Sequence, residues 1–547
     1  MRIKKNAQFP KLYICSILFF FIIHSLQSQG LNLIKAQRIY TANDEQPWVE
    51  TIVYENDKIV FLGTYDSAIK VFPNLKVKTI VDGYIYPGFI DAHCHFYGYS
   101  KMRLEANLVG AKNKKKVVKI LKKFYKNAND EWILGRGWDQ NLWGVEPDIE
   151  TLDKAFPDRP VFLKRIDGHA AWLNTKAINM LKVDINKPIS GGSYIMSKGK
   201  FTGVLLDNAV EAAEKGLPKI NKFLLEASIK TTRDECLKYG LTGLTEAGLE
   251  VDEAQHVAEI MRDGNLPLRM NVMLSSSDNT MGFIGQNGWI SAPRLRVNSV
   301  KYYIDGALGS RGALLKQPYC DRPTNGLQLM TEYDFYGRAY SANLTNKQVC
   351  AHAIGDSAAA LLVKVAKKLL LPGNDARWRM EHAQIVAPAE MSAMKKYNII
   401  PSVQPTHATS DALWAPSRLC DERQKYAYAY KSLLDSCGII ALGTDFPVEG
   451  INPLATFHSA VFRKDIDCKL KDPFMPEQAL TRNQTLKGMT IWAAYAAGLE
   501  KQTGSLEIGK QADFVVLTKD IMTIPAKDMR KVKTTLTVIA GKTEYTK

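Results

Sequence analysis

The sequence of 547 residues lacks the marks of several specialised classes of protein. It has no CxxC pair among its eight cysteines, no internal repeat and no low-complexity segment. With 37 glycines, 23 prolines and 46% hydrophobic residues, its composition excludes a collagen-like, a disordered or a polytopic membrane protein. A chain of this length can bury a large core without covalent staples, so we expect no essential disulfide framework.

The sequence also lacks a general basic surface, although its net charge is +16. Four cations in residues 1–28 and eight lysines in residues 112–126 account for twelve of these excess charges. Apolar residues interrupt the lysine run at helical spacing, which predicts one amphipathic helix. Its basic face is either simply solvated or a contact for an anionic partner such as a membrane or a polyanion. Nucleic acid is not an expected partner.

The N-terminus resembles a secretory signal peptide. Residues 1–11 are basic, residues 12–23 are almost wholly apolar, and small and polar residues follow. The apolar run is shorter than the roughly 20 residues of a membrane span. We therefore predict that residues 1–28 are a cleaved signal peptide, that no stable membrane span remains, and that the mature protein is periplasmic or secreted.

Both ends of the remaining chain contain short strand-like segments. Alternating or apolar runs occur at 33–40, 48–54 and 58–63, and again at 512–517 and 535–540. We predict one small β-sandwich domain built from residues 29–86 and 500–547.

The central part, residues 87–499, is predicted to be an α/β barrel. Apolar strand-like runs alternate there with helical patterns. Eight runs qualify as parallel strands, which is the number in a (β/α)8 TIM barrel: 88–95, 241–247, 268–274, 297–304, 349–354, 379–385, 400–404 and 438–445. The segment between the first two, about 97–235, is too long for a loop and predicts a subdomain over the barrel mouth.

Polar residues that could bind a metal follow several of these strands. His93 and His95 end the first strand, and the alternation of strand side chains places them on one side. Two neutral imidazoles suit zinc or a similar metal. His352, His382 and Asp445 each close a later strand. Because barrels build active sites from these strand ends, the five side chains predict one site.

The motifs around these residues resemble the metal-dependent amidohydrolase superfamily, and within it the amidohydrolase-3 or YtcJ-like branch. They comprise PGFIDAHCH at 87–95, DGHAAWLN at 167–174, VKYYIDGALGSRGA at 300–313, AHAIGD at 351–356, EHA at 381–383, GTDFPVE at 443–449 and the return at 504–517. The resemblance covers residues 31–517 and implies a metal-dependent hydrolase barrel flanked by a small β-domain.

The resemblance also implies roles. His93 and His95 would bind one divalent ion, His352 and His382 a second, and Lys301 would bridge both as a carbamate. Asp445 would contact the first ion and the attacking water. Unmodified lysine has no acceptor lone pair, so a surface or salt-bridged Lys301 is the alternative. One or two ions, zinc being the expected metal, remain open.

The predicted activity is hydrolysis of carbon–nitrogen bonds in non-peptide amides of a small-molecule substrate. Asp445 would transfer the proton and His169 would hold the oxyanion. A single-metal deaminase, with His382 as its acid–base residue, is the alternative within the superfamily, and an inactive exported binding protein is the alternative outside it. A homodimer is left open.

Other residues are candidates for supporting roles. Trp138, Asp139 and His169 in the insertion either contact substrate or pack the subdomain on the barrel. Glu246 is a candidate partner for a metal-bound histidine. Arg311 and Arg418 are candidate anion clamps or solvated surface charges.

Overall fold

The computed structural model describes residues 30–73, 75, 77–127, 130–467 and 469–547. The predicted signal peptide, residues 1–28, lies outside the described residues. Within them, every helix is too short or too polar to cross a membrane.

Strands from both ends of the chain share one sheet. The N-terminal elements are β1 (Leu31–Tyr40), β2 (Trp48–Glu55), β3 (Lys58–Gly63), α1 (Tyr65–Val71), β4 (Val77–Ile80) and β5 (Tyr84–Pro87). The last three strands of the chain, 514–517, 534–539 and 542–546, extend this sheet through antiparallel pairing of 514–517 with β5. The apolar runs predicted at both ends are therefore strands of one sheet. The bounds of a separate β-sandwich domain stay a prediction.

A second sheet forms within the long insertion. After β6 (Phe89–Cys94) come α2 (Phe96–Met102), β7 (Ala106–Asn107), α3 (Lys114–Phe124), β8 (Ile133–Trp138), α4 (Ile149–Ala155), β9 (Val161–Arg165), β10 (Ala170–Leu173), α5 (Thr175–Met180), β11 (Gly192–Ser197), β12 (Lys200–Asp207) and α6 (Asn208–Glu214). The strand order is β11-β12-β10-β9-β8-β7. Helix α3 is the predicted lysine-rich helix, and it buries Val117 and Leu121 against this sheet's core.

The third sheet is a nearly closed parallel barrel of eight strands, as predicted. Its elements after the insertion are α7 (Lys222–Lys238), β13 (Leu241–Leu249), α8 (Val251–Arg262), β14 (Arg269–Ser275), α9 (Asp278–Gly285), β15 (Leu295–Tyr303), α10 (Glu332–Leu344), β16 (Gln348–Ala353), α11 (Asp356–Leu369), β17 (Arg379–His382), α12 (Pro388–Lys396), β18 (Ile400–Val403), α13 (Pro405–Asp411), α14 (Ala415–Gln424), α15 (Tyr430–Cys437), β19 (Ala441–Leu442), α16 (Pro453–Phe462), α17 (Arg482–Gly488) and α18 (Ile491–Ala496). The three terminal strands are β20 (Phe514–Leu517), β21 (Thr534–Ile539) and β22 (Lys542–Thr546).

The barrel closes between its first and last strands. The order is β6-β13-β14-β15-β16-β17-β18-β19, every pair parallel. The amide of Asp445 donates to the carbonyl of His93 and the amide of His95 donates to the carbonyl of Phe446. Buried Asp91 accepts from the amide and hydroxyl of Thr444. These bonds fix the two ends of the barrel at the edge where the predicted metal ligands lie.

The structure contains one disulfide among the described residues. Cys320, in the loop after β15, is bonded to Cys420 in α14. The two cysteines are 100 residues apart in sequence, and only the barrel brings the loop and the helix together. A single bond does not decide the expectation of no essential disulfide framework, which stays a prediction.

Candidate metal centre

The predicted site residues meet at the C-terminal ends of the barrel strands. A cavity of about 250 Å³ is lined there by His95, Lys301, His352, His382 and Asp445. His169 of the insertion lines the same cavity. His93 is fully buried beside them. The structure therefore brings all seven predicted residues into one place.

His93 and His95 both approach Asp445, as strand alternation predicted. The Nε2 atom of His93 lies 3.6 Å from Oδ1 of Asp445, and Nε2 of His95 lies 3.1 Å from the same oxygen. The ligand atoms of His93, His382 and Asp445 all lie within 4.8 Å of one another. This triad is the tightest metal-type cluster among the described residues, and it spans three strand ends.

Three of the histidines are oriented by acceptors on their Nδ1 atoms. Nδ1 of His93 lies 2.5 Å from Oε2 of Glu381. The corresponding acceptors are Asp305 for His352, at 2.9 Å, and Gln404 for His382, at 2.8 Å. A neutral imidazole that donates from Nδ1 keeps its lone pair on Nε2. Each ring therefore keeps a lone pair on Nε2, held in the orientation that metal-binding histidines require, and the lone pair of His93 faces Nζ of Lys301 at 3.4 Å.

Burial and charge keep these imidazoles neutral. Burial and the nearby Lys301 ammonium lower the pKa of His93 to about 4. Burial likewise lowers the pKa of His352 and of His382. Burial alone would raise the pKa of Glu381, but Arg379 and His93 hold it well below its usual range. Glu381 is thus a fixed anion beneath a neutral His93.

Asp445 supplies the anionic ligand atom of the cluster. Its buried Oδ1 atom has no hydrogen-bond partner among the described residues. Burial opposes ionisation, but His95, His93 and His382 hold the pKa of Asp445 well below its ordinary value. A buried carboxylate oxygen without a donor is costly unless a cation binds it. This oxygen and the free imidazole nitrogens therefore fit a divalent metal ion.

Lys301 lies within the site rather than on the surface. Its Nζ atom lies 3.4 Å from Nε2 of His93 and 5.0 Å from the ring centroid of Tyr303. It is buried, makes no ion pair within 4.0 Å in the part of the chain described, and burial lowers its pKa. The alternative of a surface or salt-bridged lysine does not match this placement.

The backbone is strained where the ligands lie. His382 has a φ of 69°, the following Ala383 a φ of 41°, and Asp445 a φ of 60°. Such left-handed conformations cost non-glycine residues about 1–3 kcal/mol each and cluster at functional sites. Here they turn the chain just after β17 and β19, so that both side chains face the cavity.

The insertion places its candidate residues differently from one another. His169 lines the cavity, with its ring 5.1 Å from that of His352. Its Nδ1 lies 2.7 Å from Asp207, which raises the pKa of His169 against the opposing effect of burial. Trp138 instead lies in the core of the subdomain, because the positive φ of Gly137, at 111°, and a register shift turn it inward. Asp139 is ion-paired with Arg165 at 2.6 Å.

Three other candidate residues make structural contacts instead of the functional contacts considered for them. Glu246 does not orient a histidine; it accepts from the amide of Tyr97 at the start of α2. Arg311 is paired with Asp321, and Arg418 donates to the carbonyl of Leu308, so neither is a free anion clamp. The acceptors that do orient the histidines are Glu381, Asp305 and Gln404.

Sequence reasoning missed His407 in α13. Its Nε2 atom is buried without a hydrogen-bond partner and lies 3.6 Å from Oδ2 of Asp445. His407 also lines the cavity, so six of the nine histidines of the chain gather here. The signal that could have found it is its position, just after the seventh barrel strand.

Comparison with known proteins agrees with this geometry. The family model described as "Amidohydrolase family" matches residues 82–545. The chain belongs to this amidohydrolase family. A solved structure described as an uncharacterized metal-dependent hydrolase from Pyrococcus horikoshii is 25% identical, with a TM-score of 0.74 over 91% of this chain and 99% of that one.

Curated relatives cover nearly the whole chain. Protein LONG AFTER FAR-RED 3 of Arabidopsis thaliana is 30% identical over 94% of this chain and 91% of its own. Putative amidohydrolase YtcJ of Bacillus subtilis is 29% identical over 93% and 98%, which agrees with the YtcJ-like branch that the motifs indicated. The N-substituted formamide deformylase of Arthrobacter pascens is 22% identical over 95% and 99%.

Proposed function

We propose that this protein hydrolyses carbon–nitrogen bonds in small, non-peptide amides, with one or two divalent metal ions, zinc in the first place. The observation that supports it best is that Nδ1 of His93, His352 and His382 is held by an acceptor, which turns the three Nε2 atoms toward the cavity with the partnerless oxygen of Asp445. A relative named N-substituted formamide deformylase acts on a bond of this type, by its name.

The residues of the chain divide the reaction between them. A bound divalent ion would polarise the substrate carbonyl and make a water acidic enough to attack near neutral pH. Asp445 accepts the proton that this water loses and returns it to the amide nitrogen as the carbon–nitrogen bond breaks. His169, whose Nδ1 is held by Asp207, donates from Nε2 to the carbonyl oxygen as it becomes negative. The products are a carboxylic acid and an amine.

Lys301 is proposed to carry a carbamate. Its amine would add to carbon dioxide and release one proton, which replaces a buried cation by an anion with two oxygen ligands. The support is charge: Asp445 is the one carboxylate in the cluster, and a pair of divalent ions needs a second anionic ligand. Lys301→Ala should lose one metal equivalent and most activity, and acetate or propionate should restore part of both.

A single-metal deaminase is the second candidate. One observation favours it: Nε2 of both His93 and His95 approaches the same Oδ1 atom of Asp445, at 3.6 and 3.1 Å, which is enough to begin a site for one ion without His382. In this case His382 performs acid–base work, and Lys301 stays unmodified. Intact mass with or without one carbon dioxide, together with a metal content near two or near one, separates the two candidates.

The activity is tested with metal-loaded protein on a panel of N-acyl amino acids, N-formyl amines, cyclic amides and simple esters. We expect release of an amine from at least one amide. His93→Ala should lose metal and activity together while remaining folded, whereas His256→Gln, a histidine outside the cavity, should keep both. Full metal occupancy in His93→Ala, measured by elemental analysis, would contradict the assignment.

We also propose that residues 1–28 direct export to the periplasm or the exterior and are then removed. N-terminal sequencing of the mature protein should give a start near Gln29, and an intact Met1 on protein from the cytoplasm would contradict this. The expected partner is a small-molecule substrate and not nucleic acid. A homodimer stays open, and sedimentation of the purified protein decides it.

A further inference from the structure

The insertion contributes to the metal cavity one cation, Arg136, that forms no ion pair in the described part of the chain, although burial raises the pKa of Glu105 and the charges of Lys164 and Arg136 partly oppose that rise. Arg136 lies in β8 and lines the same cavity as His95 and Asp445. Its Nη2 atom makes one long contact, 3.4 Å, with the carbonyl of Ile166, and its buried Nε atom has no hydrogen-bond partner. Across the described ranges, no carboxylate oxygen lies within 4.0 Å of its guanidinium.

The cations that neighbour Arg136 in the sheet are all paired. Lys164 lies 2.7 Å from Glu214. Arg165 lies 2.6 Å from Asp139 and also contacts Asp167. These pairs neutralise the two side chains, so neither needs a further anion. Of these three cations, Arg136 is therefore the one without an ion pair, and its guanidinium can still bind an anion in the cavity.

The backbone is shaped to hold this guanidinium against the cavity. Nη2 of Arg136 would lie 3.2 Å from a Cβ atom at position 168, where glycine has a φ of +79°. The glycine lets the guanidinium pack directly on the chain next to His169. On the other side, the register shift at Gly137 sends Trp138 into the subdomain core but leaves Arg136 at the cavity.

We propose that Arg136 binds a carboxylate of the substrate, so that the substrates are small amides that carry an acid group, such as N-formyl or N-acyl amino acids. A guanidinium presents parallel N–H donors that match a carboxylate, and it costs free energy when it is desolvated without an anion. The cavity of about 250 Å³ lies just below the range of roughly 300–1,000 Å³ for drug-sized ligands, which favours a short acyl chain. This inference rests on the proposed amide hydrolysis.

The kinetic test compares two substrates that differ only in the acid group, N-formylalanine and N-ethylformamide. The wild-type protein should prefer N-formylalanine by roughly 10- to 100-fold in kcat/KM, the range expected for a charge-assisted hydrogen bond. Arg136→Gln should lose this preference by raising KM for N-formylalanine, with kcat/KM for N-ethylformamide within about twofold. Arg136→Lys should be intermediate. Arg322→Gln, which removes an exposed arginine paired with Glu146, should behave as wild type.

A binding measurement separates this inference from the proposed reaction. Calorimetric titration of the metal-loaded protein with levulinate, in which a CH2 group replaces the NH of N-acetylglycine so that no carbon–nitrogen bond can be hydrolysed, should show binding that weakens at least tenfold in Arg136→Gln and less in Arg136→Lys. If no amide is hydrolysed but this dependence is found, the anion site stands and the proposed reaction fails. If amides are hydrolysed with the same preference in wild type and Arg136→Gln, or if binding does not depend on Arg136, the inference is wrong. Arg136→Lys supplies both comparisons if Arg136→Gln does not fold.

Discussion

Two buried arginine–carboxylate pairs at opposite ends of the barrel have the same chemistry and different surroundings. At the N-terminal end, Arg269 of β14 contacts Asp513, which precedes β20, through bonds of 2.5 and 3.0 Å. The hydroxyl of Thr503 and the amide of Ala540 complete the coordination of that carboxylate. At the C-terminal end, Arg379 contacts Glu381 at 2.6 and 3.0 Å, and Glu381 continues to His93.

The two pairs differ in whether all their polar atoms are hydrogen-bonded within the fold. Asp513 is bonded only to protein groups and joins the terminal sheet to the barrel, so its pair is structural. Glu381 also accepts a hydrogen bond from Nδ1 of His93, whose Nε2 atom faces the cavity. Arg379 keeps one buried nitrogen, Nη1, without a partner. Of these two pairs, the one beside the metal-type residues is therefore the one that leaves a buried polar atom unsatisfied. The predictions below test this division, starting with the largest effect.

Asp445→Asn should give the largest loss, in activity and metal binding but not in stability. The amide keeps the shape of the side chain but cannot accept the proton from water, so kcat should fall by about 10²–10⁴-fold. The thermal midpoint should stay close to wild type, because Oδ1 of Asp445 bonds to no donor in the fold. If the variant unfolds several degrees below the wild type but its folded fraction keeps activity, Asp445 has a structural role and the contrast between the two ends of the barrel is wrong.

Arg269→Met should give the complementary result. Removing one partner of a buried pair leaves Asp513 as a charge without a counterion, and such losses cost about 3–5 kcal/mol of unfolding free energy. Denaturant titration measures this cost. The folded fraction should keep the wild-type kcat and metal content, which distinguishes it from the site variants. Lys222→Met, which breaks an exposed pair with Glu259, is the matched control and should cost no more than about 1 kcal/mol.

Glu381→Gln should weaken metal binding more than stability. The amide oxygen can still accept from Nδ1 of His93, but it removes the negative charge that makes the imidazole a better ligand. Metal affinity should fall by about 10- to 100-fold, measured by competition with a chelator. Unchanged affinity in a folded Glu381→Gln protein would mean that this buried pair is as structural as the one between Arg269 and Asp513.

The barrel and its ligand residues could be predicted from the sequence because both follow from local patterns. Each barrel strand is an apolar run, and His93, His352, His382 and Asp445 each stand at or just beyond the end of one. What could not be predicted depends on distant parts of the chain. Asp305 and Gln404 accept hydrogen bonds from His352 and His382 because neighbouring strands are aligned, and Cys320 meets Cys420 because a loop reaches α14. Local sequence patterns contain neither arrangement.

Local geometry decided two further placements, that of Trp138, whose alternatives were open, and that of the unpredicted His407. Trp138 lies in an aromatic segment typical of a pocket wall, but one glycine with positive φ reverses the face on which it lies. His407 stands alone on a short helix, without a second histidine at metal-ligand spacing. In both cases the residue type indicated a candidate site residue. The direction of the side chain depended on a single backbone feature or on the approach of another strand.

The smallest expected effect concerns a second carboxylate at the same end of the barrel, Glu246. Unlike Glu381, it has no arginine beside it, and burial raises its pKa to about 8, with the amide of Tyr97 opposing the shift. A carboxyl group whose pKa is raised in the folded protein stabilises the fold fully below its unfolded pKa of about 4.3, and this contribution is lost as the pH rises through about 8. The wild-type protein should therefore lose stability between about pH 5 and pH 8 through this residue, on the order of 1–4 kcal/mol.

Glu246→Gln should flatten the profile, measured as unfolding free energy in denaturant at several pH values, whereas Glu259→Gln, at an exposed position, should leave it as in the wild type. A profile in Glu246→Gln as steep as that of the wild type would mean that Glu246 is ionised in the folded protein, and that the contrast with Glu381 does not hold.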